Sequence, residues 1–228
     1  SITGLTLSVD DILFLSGDFT FEQAHDNLRL SDGTLFTDVD YQVVSGAGID
    51  GFFGINGPFV DPLTTPDAFG LSLSDVDFTL VLFNDASGVD PVQYTALKTN
   101  GGSAFFVGQS DLLMGLYSFS VSLNLTSDAL NPSDVLDFNA GGAIAGIPVT
   151  PITVGAPIMD LEGEDGSLTL VSGGAVLDAF GALVLKGTFE LGIGQVTGND
   201  NAGTNPDVSF TDADAFSLSL TDVDLWAG

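Results

Sequence analysis

The residues of this chain whose types and spacing could do chemistry are its aspartates, which recur as Asp-x-Asp pairs and in one loop rich in oxygen ligands. Because calcium takes several oxygen ligands and tolerates irregular loops, these carboxylates predict structural calcium sites. An EF-hand is excluded, since none of these loops has the glutamate that closes that motif. The candidate calcium ligands are Asp75, Asp77, Asp222, Asp224, Asp200, Asp207, Asp212 and Asp214.

Aspartate also has a purely structural use, which competes with calcium binding at every one of these positions. Its short side chain hydrogen-bonds nearby backbone groups and is favoured in turns and bulges. Of the 31 acidic residues only four are glutamate, and this bias toward the shorter side chain fits both interpretations. The sequence therefore predicts calcium as the cofactor and leaves a solvated acidic turn as the alternative for each loop.

Catalytic side chains of the usual kinds are scarce in the sequence. Cysteine is absent, His25 is the single histidine, and no glycine-rich phosphate loop ends in Lys-Ser or Lys-Thr. His25 lies in a polar stretch after a predicted strand, where a surface position is expected. Chance alone brings carboxylates together in so acidic a chain, so glycoside hydrolysis finds little support. We predict that the protein is not an enzyme.

The charge balance excludes a large class of partners. The formal net charge is −28, and the basic residues are Arg29, Lys98 and Lys186. Nucleic acids need a basic patch, so none is expected to bind, and an anionic membrane surface is disfavoured for the same reason. The longest uncharged run, Phe138–Met159, contains three prolines and several glycines that would break a membrane helix. We therefore expect a loop there and no membrane insertion.

Alternation of apolar and polar residues is the main structural signal. Between Tyr117 and Leu125 every odd residue is apolar and every even residue is small and polar, as in a strand with one buried and one wet face. Similar stretches recur along the chain between turn signals rich in Gly, Asn and Asp. With 44% hydrophobic residues the chain can bury a core, and it is predicted to be all-β. Ala175–Leu183 is a weak helix candidate.

An internal repeat carries a second structural signal. Phe69–Phe78 recurs as Phe216–Leu225, at an offset of 147 residues. In both copies the apolar residues change parity around the first aspartate of Asp-Val-Asp, which predicts a β-bulge or sharp corner at Asp75 and Asp222. The repeat divides the chain into a first β unit at 1–140, a Pro- and Gly-rich connecting segment at 141–160 and a partial second β unit at 161–228.

The predicted architecture is an elongated, antiparallel β-sandwich-like array with bulged strand corners, and a curled or prism-like sheet is the alternative. The outward faces carry Ser, Thr and Asp rather than Lys. Exposed strand edges therefore lack the lysines that usually block pairing with another chain. Adjacent phenylalanines such as Phe52 and Phe53 cannot both point inward on a regular strand, so one of them is expected to be exposed.

Segments Leu13–Gln23, Phe69–Asp77 and Tyr94–Lys98 resemble the tandem β repeats of very large secreted bacterial surface and adhesin-like proteins. The resemblance implies an extracellular or cell-surface location, an elongated array, calcium-dependent rigidity and no active site. We therefore expect an extracellular structural module, such as an adhesin stalk, surface-layer or filament subunit. Its expected partners are other copies of itself or adjacent repeats, paired at their strand edges.

Two other functions stay open at this stage. A module that binds a glycan, ice, a lipid or another surface ligand would use a flat Ser/Thr face or a curled apolar face. A halophilic protein would carry its acidity only as salt adaptation. Halophilic proteins usually enrich glutamate together with aspartate, and glutamate is scarce here.

Overall fold

Long antiparallel β-strands form the regular structure of the protein, and the predicted all-β class is confirmed. The computed structural model describes residues 1–9, 12–57, 67–88, 90–138, 157–163, 166–199 and 209–228; at positions 9, 195–199 and 209–212 it describes the backbone alone. The strands are β1 (Ile2–Val9), β2 (Leu13–Arg29), β3 (Leu35–Ile55), β4 (Phe69–Asp85), β5 (Val92–Asn100), β6 (Ser103–Val107), β7 (Leu112–Thr126), β8 (Leu168–Ala179), β9 (Leu183–Asn199) and β10 (Ser209–Ala227).

All of these strands belong to one antiparallel sheet, in which neighbours along the chain are also neighbours in space. The order is β1-β2-β3-β4-β5-β7-β8-β9-β10. β5 and β6 share one row, because both pair with β4 and β7. Gly101 and Gly102, with φ angles of 75° and 78°, separate them. The chain thus runs up and down through nine rows, with β1 and β10 at the two sides.

A line of bulges crosses the sheet from one side to the other. The bulges predicted at Asp75 and Asp222 are confirmed: φ is 56° and 52°, and the pairing register slips at both places. Slips or positive φ angles lie at matching positions on other strands, and we call this feature the bulge line. Its members are Gly4 on β1, Gly48 on β3, Asp75 on β4, Gly101 and Gly102 between β5 and β6, Ser118 on β7 and Asp222 on β10.

The bulge line explains the parity changes in the sequence. An inserted residue shifts side-chain parity by one, so apolar residues must shift as well to stay on the same face. On β4, Leu73 before the line and Val76 after it both contribute to one apolar cluster, which also contains Ile49 of β3 and Phe119 of β7. The sheet therefore keeps one apolar face along the full length of its strands.

The largest buried apolar cluster among the described residues lies where two connecting segments, residues 134–138 and 157–161, cover the other face of β2–β5. In these cover segments Leu136, Phe138 and Met159 are fully buried. Asn124 of β7, also buried, donates from Nδ2 to the carbonyl oxygen of Leu136 at 2.6 Å. The cover segments include both ends of the uncharged run predicted as a loop, whereas its residues 139–156 lie outside the described residues.

Two of the three basic side chains fasten the cover segments to the sheet. Arg29 of β2 pairs with Asp137, and only 10% and 11% of these side chains are exposed. Lys98 of β5 pairs with Asp160. The N–H of Asp137 also donates to the carbonyl oxygen of Arg29 at 2.9 Å. An ion pair and a backbone hydrogen bond therefore both attach residues 134–138 to β2.

The helix candidate Ala175–Leu183 is wrong. β8 continues to Ala179, and a turn at 180–182 leads into β9. Residues 175–179 pair with β7 on one side and with β9 on the other, and this pairing outweighs local helix propensity.

The predicted unit boundaries at 1–140 and 161–228 stay a prediction. β7 and β8 come from opposite sides of the connecting segment, and they pair with each other. Among the residues that the structure describes, no helix has the length and apolarity needed to cross a membrane.

We predict that Asp137→Ala lowers the free energy of unfolding by about 3 kcal/mol or more, because it removes the carboxylate that pairs with the buried guanidinium of Arg29. Urea unfolding followed by fluorescence measures this. The double variant Arg29→Met with Asp137→Leu removes both charges and should regain much of the loss. A loss below about 1 kcal/mol in the single variant would contradict a buried, structural ion pair.

Candidate functional site

The candidate calcium ligands Asp75 and Asp77 lie on the bulge of β4, beside the bulge of β3. Oδ1 of Asp77 accepts the N–H of Gly48 at 2.8 Å. Oδ1 of Asp50 accepts the N–H of Asp75 and the hydroxyl of Ser74, both at 3.0 Å. A bulge takes backbone N–H groups out of the sheet ladder, and each such group needs another acceptor. Here aspartate carboxylates are those acceptors.

The same arrangement recurs between β1 and β2, where Oδ1 of Asp18 accepts the N–H of Gly4 at 2.7 Å. Sequence reasoning missed Asp18 and Asp50 because neither belongs to an Asp-x-Asp pair. The signal that could have found them is an aspartate beside a glycine within a strand pattern, as in Gly17-Asp18 and Asp50-Gly51. Glycine inside a strand often marks a bulge.

The second copy of the motif places Asp222 and Asp224 at the bulge of β10. Asp224 lies directly opposite Lys186 of β9 in the strand register. Opposite charges facing each other across two strands stabilise the pairing modestly. In both copies, then, the Asp-Val-Asp motif marks a bulge and has a local structural use.

The other candidate ligands come from the β9–β10 end of the chain. Asp214 is exposed on β10, only the backbone of Asp212 is described, and Asp200 and Asp207 lie outside the described residues. Within the part of the chain that the structure describes, no three acidic, histidine or cysteine side chains are grouped to hold a metal ion. Calcium binding therefore stays a prediction.

Aspartates in the connecting turns are hydrogen-bond acceptors as well. Asp32 accepts the N–H and the hydroxyl of Thr34 at 2.7 and 2.8 Å. Asp128 accepts the N–H of Leu130 at 2.9 Å and the side-chain amide of Asn131 at 3.0 Å. These bonds favour the ionised carboxylate and lower the pKa of Asp128, with the Asn131 amide as the largest cause. Turns and bulges thus account for much of the aspartate bias.

The single histidine bridges two aspartates of β3. Nδ1 of His25 lies 2.8 Å from Oδ1 of Asp40, and Nε2 lies 2.8 Å from Oδ1 of Asp38. Both ring nitrogens donate only in the imidazolium form. The hydrogen bond to Asp40, and after it the one to Asp38, raises the pKa of His25. We call these three residues the His25 cluster; its histidine is exposed, as expected, but its two partners were not predicted.

A groove of about 490 Å³ lies beside the His25 cluster. Four side-chain amides line it, and amides both donate and accept hydrogen bonds without carrying charge. Tyr94 borders the groove, but its side chain belongs to the buried core on the other face, where burial, followed by the nearby carboxylate of Asp85, raises the pKa of this phenol to about 12. The phenol therefore stays protonated at neutral pH. The main polar lining residues are Gln23, Gln42, Asn84, Gln93, Thr95 and Asp40.

Comparison with known proteins adds no relative: no family model, no curated protein and no solved structure matches this chain. The resemblance to secreted repeat proteins thus stays a prediction. Function has to be inferred from the residues and their geometry.

We predict that Asp77→Ala lowers the free energy of unfolding by about 1 kcal/mol, because the N–H of Gly48 loses its acceptor at the bulge. Thermal and urea unfolding in EGTA and in millimolar calcium measure this. The loss should be the same in both buffers. Asp111→Ala, which removes an exposed carboxylate just before β7, is the control and should change stability little. A calcium-dependent rise in Tm that Asp77→Ala abolishes would instead identify Asp77 as a ligand.

We predict that His25 titrates above its ordinary value of 6.5. Because the folded-state pKa is raised, the cluster makes its full contribution to the free energy of unfolding below the unfolded-state pKa. This contribution is lost as pH rises through the folded-state pKa. Proton NMR of the single imidazole measures the titration directly. Asp40→Asn should move the pKa back toward 6.5, and a wild-type value at or below 6.5 would disprove the bridged imidazolium.

Proposed function

We propose that this chain is an extracellular structural module, such as a stalk, surface-layer or filament subunit, and that it pairs through its strand edges with another copy of itself or an adjacent repeat. The observation that carries the proposal is the exposed edge strand β10. In the described part of the chain, β10 pairs with β9 alone. The unpaired side of a strand is a template for another strand.

The centre of β10 lacks the usual protection against such pairing, because its bulges and aspartates lie toward its two ends. The strand runs for 19 residues and contains neither lysine nor proline. Its centre, Ala215–Thr221, carries no charge, and Leu218 and Leu220 there are 55% and 61% exposed. Uncharged segments of alternating apolar and small polar residues favour strand addition. The other side strand, β1, is also free of charged residues.

The topology determines how copies would join. Each row runs antiparallel to the next, so the first and last of nine rows, β1 and β10, run in the same direction. Copies related by a shift across the sheet would pair β10 with β1 in parallel. Such a head-to-tail contact does not close on itself, and it generates an open filament.

The net charge of −28 opposes this assembly at low ionic strength. Salt or calcium would screen the repulsion, so an extracellular medium favours assembly. In this assembly calcium would act as a counter-ion and would be bound by aspartates at the strand edges. Catalysis has no part in it.

We predict that Ser219→Lys on β10 blocks growth of assemblies, because a lysine on an edge strand opposes the addition of another strand. Ser172→Lys on β8 is the matched control: both serines face Glu190 across the strands, and both changes add one positive charge. Light scattering and electron microscopy should show filaments for the wild type and for Ser172→Lys, in millimolar calcium and about 0.15 M salt. Ser219→Lys should stay small. A wild-type chain that remains monomeric at high concentration would overturn the proposal.

A further inference from the structure

The two faces of the sheet differ in what covers them. Cross-strand partners share a face, and alternate residues along a strand lie on opposite faces. The register therefore assigns Leu15, Leu73, Leu116 and Leu185 to one face, which we call the apolar face. The opposite, polar face carries the cover segments over β2–β5 and serines and threonines over β7–β10, among them Ser172 and Ser219.

More than a dozen large apolar side chains on the apolar face are exposed to solvent. They lie on strands from one side of the sheet to the other. Phe52 and Phe53 show the contrast: Phe52 points to the polar face and is 2% exposed, whereas Phe53 points to the apolar face and is 61% exposed. Representative members on successive strands are Phe21, Phe53, Leu71, Met114, Ile193 and Leu220.

Few charged side chains of the strands lie on the apolar face. On the described strands and away from the bulge line, the apolar face bears charge only near its ends, at the His25 cluster, at Arg29 and at Asp214. Lys98 and Glu190 lie on the polar face. An apolar surface this wide on so acidic a chain needs a covering layer, because a sheet is stable only when its apolar face is buried.

We infer that the apolar face packs against the apolar face of a second copy of this chain, giving a two-layered sandwich. This face-to-face dimer rests on the proposed function in one respect, namely that the chain associates with itself. The contact between the two faces is distinct from the edge pairing of β10. The sandwich-like architecture expected from the sequence would then be completed between two copies.

The area is sufficient for a stable dimer. Each half-exposed aromatic or leucine side chain contributes roughly 100 Å², so the exposed members together offer on the order of 1,500 Å² per copy. A typical specific interface buries about 800 Å² per partner. The apolar face taken over all of its strands therefore exceeds the requirement.

Shape and charge both favour a second copy as the occupant. Two identical sheets have the same hand of twist, and sheets of the same twist pack face to face about 10 Å apart. Most carboxylates of the strands then lie on the two outer faces, roughly 20 Å apart and beyond the Debye length of about 8 Å at physiological salt. Repulsion is weak in that arrangement, and association should strengthen as salt is raised.

Two consecutive residues of β7 provide the test. Met114 is 48% exposed on the apolar face, and Leu113 is 46% exposed on the polar face. Met114→Lys and Leu113→Lys thus add the same charge to the same strand at equal exposure and differ only in the face that receives it. Analytical ultracentrifugation measures the dimer dissociation constant, and small-angle scattering measures the added thickness of about 10 Å. Circular dichroism confirms that both variants are folded.

We expect Met114→Lys to weaken dimerisation at least tenfold and Leu113→Lys to leave it unchanged. Leu125→Lys, on the apolar face of the same strand, is the substitute if Met114→Lys does not fold. Equal effects of the two β7 variants, or loss of all association in Ser219→Lys alone, would overturn face packing and leave the edge proposal intact. A monomeric wild type that binds phosphatidylcholine vesicles, and loses that binding in Met114→Lys, would identify a lipid surface as the occupant and overturn both.

Discussion

Backbone N–H groups released by bulges must find other acceptors, and on β1, β3 and β4 aspartate carboxylates are those acceptors. Asp18, Asp50 and Asp77 each accept an N–H group on the bulge line. The bulges in turn keep apolar side chains on one face along strands that would otherwise alternate out of phase. The bulges of β1, β3 and β4, and with them the continuous apolar face along these strands, depend on this interaction between carboxylate and backbone.

The all-β class and the bulges at Asp75 and Asp222 could be predicted because both leave a local mark, a period of two and a parity change. The connection of all strands into one sheet could not, since each strand pattern fits any neighbour of suitable length. Arg29 and Asp137 are far apart in sequence, and no local pattern links them. The calcium ligands were proposed from residue type alone, which does not distinguish a cation from a backbone N–H group as the partner of a carboxylate.

The two faces of the sheet are covered to different extents. Over β2–β5 the polar side is closed by the chain itself, where Phe138 and Met159 are buried and two ion pairs fix the covering segments. The apolar side has no such cover among the described residues. A sheet that its own chain covers on one face and leaves open on the other is suited to association, because a partner can bury the open apolar face. Phe216, Leu218 and Leu220 in the uncharged centre of β10 belong to this apolar face and are exposed.

The bulge line also bears on how such a sheet can change over evolutionary time. Most residues of the bulge line are glycines and aspartates, which adopt positive φ angles or accept backbone N–H groups. Few of them belong to either packed face. Ser and Thr on one side and Leu and Phe on the other can therefore be exchanged for similar residues without altering the bulges. Two chains with this fold could diverge until their sequences no longer align. The spacing of Gly and Asp from strand to strand would still indicate that they share it.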